Sequence, residues 1–168
     1  MRTRHQLDRQ VPSAGTSGAG RPILLATLGA PFDEQAVAVA VDAAVESGEA
    51  LIVANITRLE PLGLSMIMGY DALEELTPDV SRSVKRPARL AAEFGLHVER
   101  LRVRSPRPVS ALLELIRERR PGLVVFGPDR RRLSRRLFRK ASDALQAGVG
   151  YLVWLPPEPD WQGRSSVG

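Results

Sequence analysis

Cysteine is absent from this 168-residue chain, and the only histidines are His5 and His97. The first absence removes disulfides, thiolate metal sites and a cysteine nucleophile. The second leaves too few imidazoles for a histidine-built metal centre, so no metal is expected. No stretch approaches the roughly 20 uninterrupted apolar residues that a bilayer-spanning helix needs. The opening MRTRHQLDRQVPSAGTSGAG carries Arg2, Arg4 and Arg9 with no hydrophobic run behind them, which speaks against a secretory signal and for a cytoplasmic protein. A repeat of 20–50 residues is also lacking, which argues against a solenoid.

What is present suits one compact domain with short extensions: 43% hydrophobic and 26% charged residues, ordinary values for a globular chain. The net charge of +5 is unevenly spread. Between Arg100 and Lys140 there are 14 basic residues against Glu114, Glu118 and Asp129, and the rest of the chain is net acidic. Of the 24 basic residues, 22 are arginine. Such a segment is either a solvated cationic face or a site for an anion or an acidic partner.

Residues 1–20 are polar, Gly- and Ser-rich and aperiodic, and are expected to be a disordered tail. Residues 21–157 form the domain, and 158–168 a loose C-terminal tail. The unbroken apolar runs at 23–28, 51–57, 123–127 and 149–155 predict strands buried on both faces, the pattern of a parallel sheet. The segment 96–103 (LHVERLRV) mixes apolar and charged residues. Its alternation slips between Val98 and Leu101, which predicts an edge strand with a bulge. Helical spacing follows Asp33, ending at Gly48. It runs again over 71–94 with interruptions at Pro78 and Pro87, over 107–120 before Pro121, and from Leu133 to Gly148. Residues 58–71 combine apolar side chains with Pro61, Gly63 and Gly69, giving a loop or short helix over the sheet or against a partner. Strand and helix therefore alternate. That order demands a single three-layer α/β/α domain with a five-stranded parallel sheet and right-handed crossovers.

Two segments carry a resemblance: PILLATLGAPFDEQAVAVAVDAA near the start and GLVVFGPDRRRLSRRLFRKASDALQAGVGYLVWLPP near the end. Together they resemble the universal stress protein family. The resemblance implies strand order 3-2-1-4-5, an adenine nucleotide alpha hydrolase-like fold, and a ligand crevice between strands 1 and 4. General principles put a ligand at that same switch point. In ATP-binding members the first strand ends in an aspartate; here Leu28 stands in that place, with Gly29 in register. Their phosphate loop reads Gly, two residues, Gly, nine residues, Gly, then Ser or Thr. Gly127 matches the first glycine, Arg130 and Lys140 replace the others, Ala141 takes the hydroxyl position, and Ser142 comes one residue late. Glycines there let backbone amides approach phosphate. Arginine obstructs that approach, although a guanidinium itself binds phosphate in bidentate fashion. No cofactor is expected, ATP being compatible only with a degraded motif. The candidate ligand-binding residues are Thr27, Gly29, Gly127, Arg130, Arg131 and Ser142.

Catalytic residues are not apparent. Asp33, Glu34, Asp42 and Glu46 suit a solvated helix face. His97 lies beside Glu99 and Arg100 without triad or metal spacing, and Ser65, Ser110 and Ser142 lack a nucleophile elbow. Ser134 is placed to cap a helix. The stripe Arg135, Arg136, Arg139 and Lys140 has no interleaved aromatics for base stacking, so nucleic acid is an unlikely partner. The expected function is a non-catalytic, homodimeric stress-response domain that binds an anionic small molecule or an acidic protein surface. The alternatives are a nucleotide sensor using arginines at the phosphate loop and a cationic adaptor for anionic lipid or nucleic acid. In the implied strand order, 149–155 is an uncharged edge, which predicts a homodimer through Val149, Tyr151, Val153 and Trp154. The family's use of its last strand for dimerisation points the same way.

Overall fold

The computed structural model describes residues 20–59 and 78–158, with side chains from residue 85 onward in the second stretch. The expectations for the two tails, for most of 58–71 and for the start of the helix at 71–94 lie largely outside the described residues. The elements run β1 (Ile23–Thr27), α1 (Glu34–Ser47), β2 (Leu51–Arg58), α2 (Pro78–Glu93), β3 (Val98–Ser105), α3 (Pro108–Arg119), β4 (Leu123–Phe126), α4 (Arg135–Gln146) and β5 (Leu152–Trp154). They build a five-stranded sheet of order β3-β2-β1-β4-β5 in which every neighbouring pair is parallel. Fold and strand order are as expected.

The continuous apolar strands have a simple cause. Because side chains alternate across the sheet, β1 needs apolar residues at every position to meet helices on both faces. Leu24 and Ala26 join Ile52, Ile56 and Phe126 in one core cluster, closed by Leu112 and Ile116 of α3 and Ala141 and Leu145 of α4. Ile23 and Leu25 join Leu51, Val53 and Val125 in the other, closed by Ala36, Ala40 and Ala44 of α1 and Ala91 of α2. The alanine stripe of α1 lets that helix lie close to the sheet. The Asp33 carboxylate accepts the Ala36 N–H at 3.1 Å and so fixes where α1 begins. Ser134 does the same for α4, accepting the Leu137 N–H at 3.2 Å.

Three sequence expectations need correction. β3 has no bulge: it pairs with β2 in unbroken register from Leu51↔Val98 to Arg58↔Ser105. The irregular pattern arises because Val98 packs under the α1/α2 layer, whereas the following residues on that face, Arg100, Arg102 and Arg104, are exposed. The described part of α2 begins at Pro78, and Pro87 does not interrupt the helix but is accommodated inside it. The last strand is far shorter than 149–155. Gly150 takes φ 88°, a left-handed conformation that glycine adopts without strain, and turns the chain before β5. The Tyr151 hydroxyl ties that turn down by donating to the Leu145 carbonyl at 3.1 Å.

Candidate functional site

Strand order reverses between β1 and β4, so their following loops diverge to opposite sides and leave a crevice at the carboxyl ends. The residues of this chain fill and fasten that crevice from within. Thr27 is fully buried, and its Oγ1 donates to the Ala30 carbonyl at 2.8 Å. Leu28, in the place of the family's aspartate, is buried in the α3/α4 core cluster. The Gly29 N–H donates to Asn55 Oδ1 at 3.0 Å. Asn55 is itself 1% exposed, and its Nδ2 has no hydrogen-bond partner among the described residues.

The loop after β4 is bound to the loop after β1. The Asp33 N–H donates to the Gly127 carbonyl at 2.9 Å, the Asp129 N–H to the Pro31 carbonyl at 2.7 Å, and Phe32 and Pro128 form an antiparallel bridge. The Gly127 N–H donates to the Ala26 carbonyl at 3.0 Å. Gly127 has a packing reason to be glycine: a Cβ there would overlap the Cβ of Ala36 at the start of α1. Beyond it, Asp129 organises the loop. Its carboxylate accepts the Arg131 N–H at 2.9 Å, and its carbonyl accepts the N–H groups of Arg132 and Leu133 at 3.0 and 3.2 Å. The N–H groups of three successive residues are thus all turned onto Asp129.

The three arginines diverge. The Arg130 guanidinium carbon lies 3.6 Å from the centre of the Phe138 ring. Phe138 in turn stacks on Phe126, with ring centres 5.6 Å apart and planes inclined by 27°. Arg131 points to solvent, and Arg132 lines a groove between α1 and α2. Of the six candidate ligand residues, Thr27, Gly29 and Gly127 therefore sit at the crevice, with the Thr27 hydroxyl and the Gly29 and Gly127 N–H groups bonded internally. Arg130 and Ser142 share a separate groove beside α4, and Arg131 lines neither. Sequence reasoning missed Asp129, Asn55 and Phe138. The helical spacing of Phe138, Arg139 and Ser142 was the available signal for the groove.

Of the candidate interface residues, Val149 is 91% exposed, whereas Tyr151, Val153 and Trp154 are half-buried against the chain's own core. Leu152, 73% exposed, is a further apolar side chain on this free edge. Among the described residues no cluster of three or more His, Asp or Glu is placed to hold a metal, and no helix is long and apolar enough to cross a membrane.

The parallel sheet with its reversal at β1/β4 defines a doubly wound α/β domain of the class that receives ligands at a switch point. The universal stress protein family model matches residues 20–147, and the chain belongs to that family. Solved structures agree in fold. A universal stress protein family member from Burkholderia pseudomallei is 15% identical with a TM-score of 0.59, over 84% of this chain and 99% of that one. A universal stress protein in complex with cAMP is 21% identical with a TM-score of 0.55, over 82% and 97%. The protein from Archaeoglobus fulgidus in complex with dAMP is 17% identical with a TM-score of 0.53, over 80% and 96%. No curated relative matches the chain in sequence.

Proposed function

We propose that this chain is a non-catalytic universal stress protein domain, cytoplasmic and homodimeric, that acts in a stress response by binding an anionic ligand or an acidic protein surface, and does not take ATP at the switch point. The observation that carries this reading is the lacing of the two crevice loops, with the Asp129 N–H on Pro31 and the Asp33 N–H on Gly127. Leu28 and the Arg130 side chain reinforce it. One removes a polar contact from the end of β1, and the other stands where a glycine would admit phosphate.

The expected outcome of calorimetry with Mg-ATP is no saturable binding tighter than about 100 μM, equivalent to roughly 5.5 kcal/mol. A low-micromolar constant would refute the proposal. It would favour a nucleotide sensor instead, a reading that the cAMP and dAMP complexes of similar structures make the natural rival.

A further inference from the structure

A groove of about 440 Å³ runs along one flank of α4, walled on its other side by the chain leaving β5 at Leu155, Pro156 and Glu158. It shares Arg130 with the loop that follows β4. At 3.6 residues per turn, Arg135, Arg139, Ser142 and Gln146 fall on the flank facing the groove. Lys140 and Leu137 fall on the opposite flank. The family's phosphate-loop positions at 140 and 141 therefore do not look into it.

We propose that this groove binds a phosphate group, as inorganic phosphate or the terminal group of a phosphomonoester. Four features of the chain support this. The Arg130 guanidinium carbon lies 3.6 Å from the Phe138 ring centre, a cation–π contact that engages no acceptor and so leaves the N–H groups available to a ligand. Arg139 and Arg135 add positive charge along the same flank. Ser142 lines the groove but is only 7% exposed; its Oγ is closed to solvent in this conformation and has no hydrogen-bond partner among the described residues, so a rotation about Cα–Cβ is what would present it to a ligand. A buried hydroxyl without a partner is costly unless something supplies one, and an oxyanion oxygen accepts from a hydroxyl. Finally, Asp143 and Glu158 also line the groove, yet neither is ion-paired with Arg130 or Arg139 among the described residues. Among the described residues, those two guanidiniums have no carboxylate partner. A planar carboxylate fits such divergent donors less well than a tetrahedral oxyanion, which offers acceptors in several directions.

The proposal deepens the reading of the ligand as an anion and moves its site from the crevice to the α4 flank. The test is an amide-resolved NMR titration of the full chain with inorganic phosphate, with acetate in parallel. Saturable shifts at residues 130, 138–143, 155 and 158 are expected with phosphate and not with acetate. Arg139→Gln and Ser142→Ala should each weaken phosphate binding about tenfold, or about 1.4 kcal/mol. The outward-facing control Arg136→Gln should leave it unchanged. Ser142→Ala removes an unpartnered hydroxyl, so it should lose binding without losing thermal stability. No approach to saturation by about 10 mM phosphate, which means a dissociation constant weaker than about 1 mM, or about 4.1 kcal/mol, overturns the groove. So does equal weakening by Arg136→Gln. Shifts at Gly29 and Gly127 in place of the groove overturn it while leaving the anionic reading standing. Only tight Mg-ATP binding removes that reading itself.

Discussion

At the scale of single residues, several side chains that suggest ligand chemistry are explained by packing. Gly127 fits the first glycine of a phosphate loop, yet its lack of a side chain is required by Ala36, against which any Cβ would collide. Gly127→Ala should therefore push the start of α1 off the sheet and cost about 1–3 kcal/mol, as overpacking usually does. Urea denaturation measures this, and an unchanged midpoint would contradict the packing account. Tyr151 offers a second test. Burial pushes its phenol above the ordinary tyrosine value of 10.0, and its hydroxyl donates to the Leu145 carbonyl. The folded state thus favours the protonated form. The stabilisation is present in full below the ordinary value and is lost as pH rises through the raised folded one. Tyr151→Phe should lose about 0.5–1.5 kcal/mol at neutral pH and show a smaller alkaline decline. Parallel stability curves for the two proteins across that range would exclude the effect.

At the scale of elements, legibility followed burial. β1, β2 and β4 were readable because a strand covered on both faces has to be apolar throughout, and α1 and α4 because Asp33 and Ser134 mark their starts. The edges were harder. β3 alternates regularly, but one of its faces is covered only at Val98, so the slip in pattern reflects an incomplete helix layer and not an extra residue. The run from Val149 looked like a long strand because turn and strand are equally apolar there; only the backbone of Gly150 and the Tyr151 bond separate them. A three-residue edge is a smaller template for pairing than the sequence implied. The geometry still permits the proposed dimer. The Leu152 N–H is used on the Gly122 carbonyl at 2.9 Å, so the next N–H, that of Val153, points away from β4 toward the open edge. Val153→Pro removes that outward donor and spares the ladder to β4. Sedimentation should show a wild-type dimer and a folded, largely monomeric variant. A wild-type monomer, or a variant dimer of equal strength, would count against this edge as the interface.

At the scale of the whole molecule, the parallel three-layer architecture was implied by alternating strands and helices and the strand order by the family resemblance, whereas the site was legible only as a set of departures. Leu28, Arg130 and Lys140 marked where the chain departs from the nucleotide motif that the family resemblance implies. They did not reveal what replaced it, because the replacement consists of bonds between loops nearly a hundred residues apart in sequence. The α4 groove was half-readable: one wall follows from helical spacing, the other from where the chain travels after β5. The laced loops also have a kinetic consequence. They join the turn that starts α1 to the turn that leads into α4, so neither can swing out alone without breaking bonds to the other. In deuterium-exchange measurements the amides of Asp33 and Asp129 should therefore open as one unit, with matching protection and the same dependence on denaturant. Independent opening at the two amides would mean that the crevice has a loose side through which a ligand could enter.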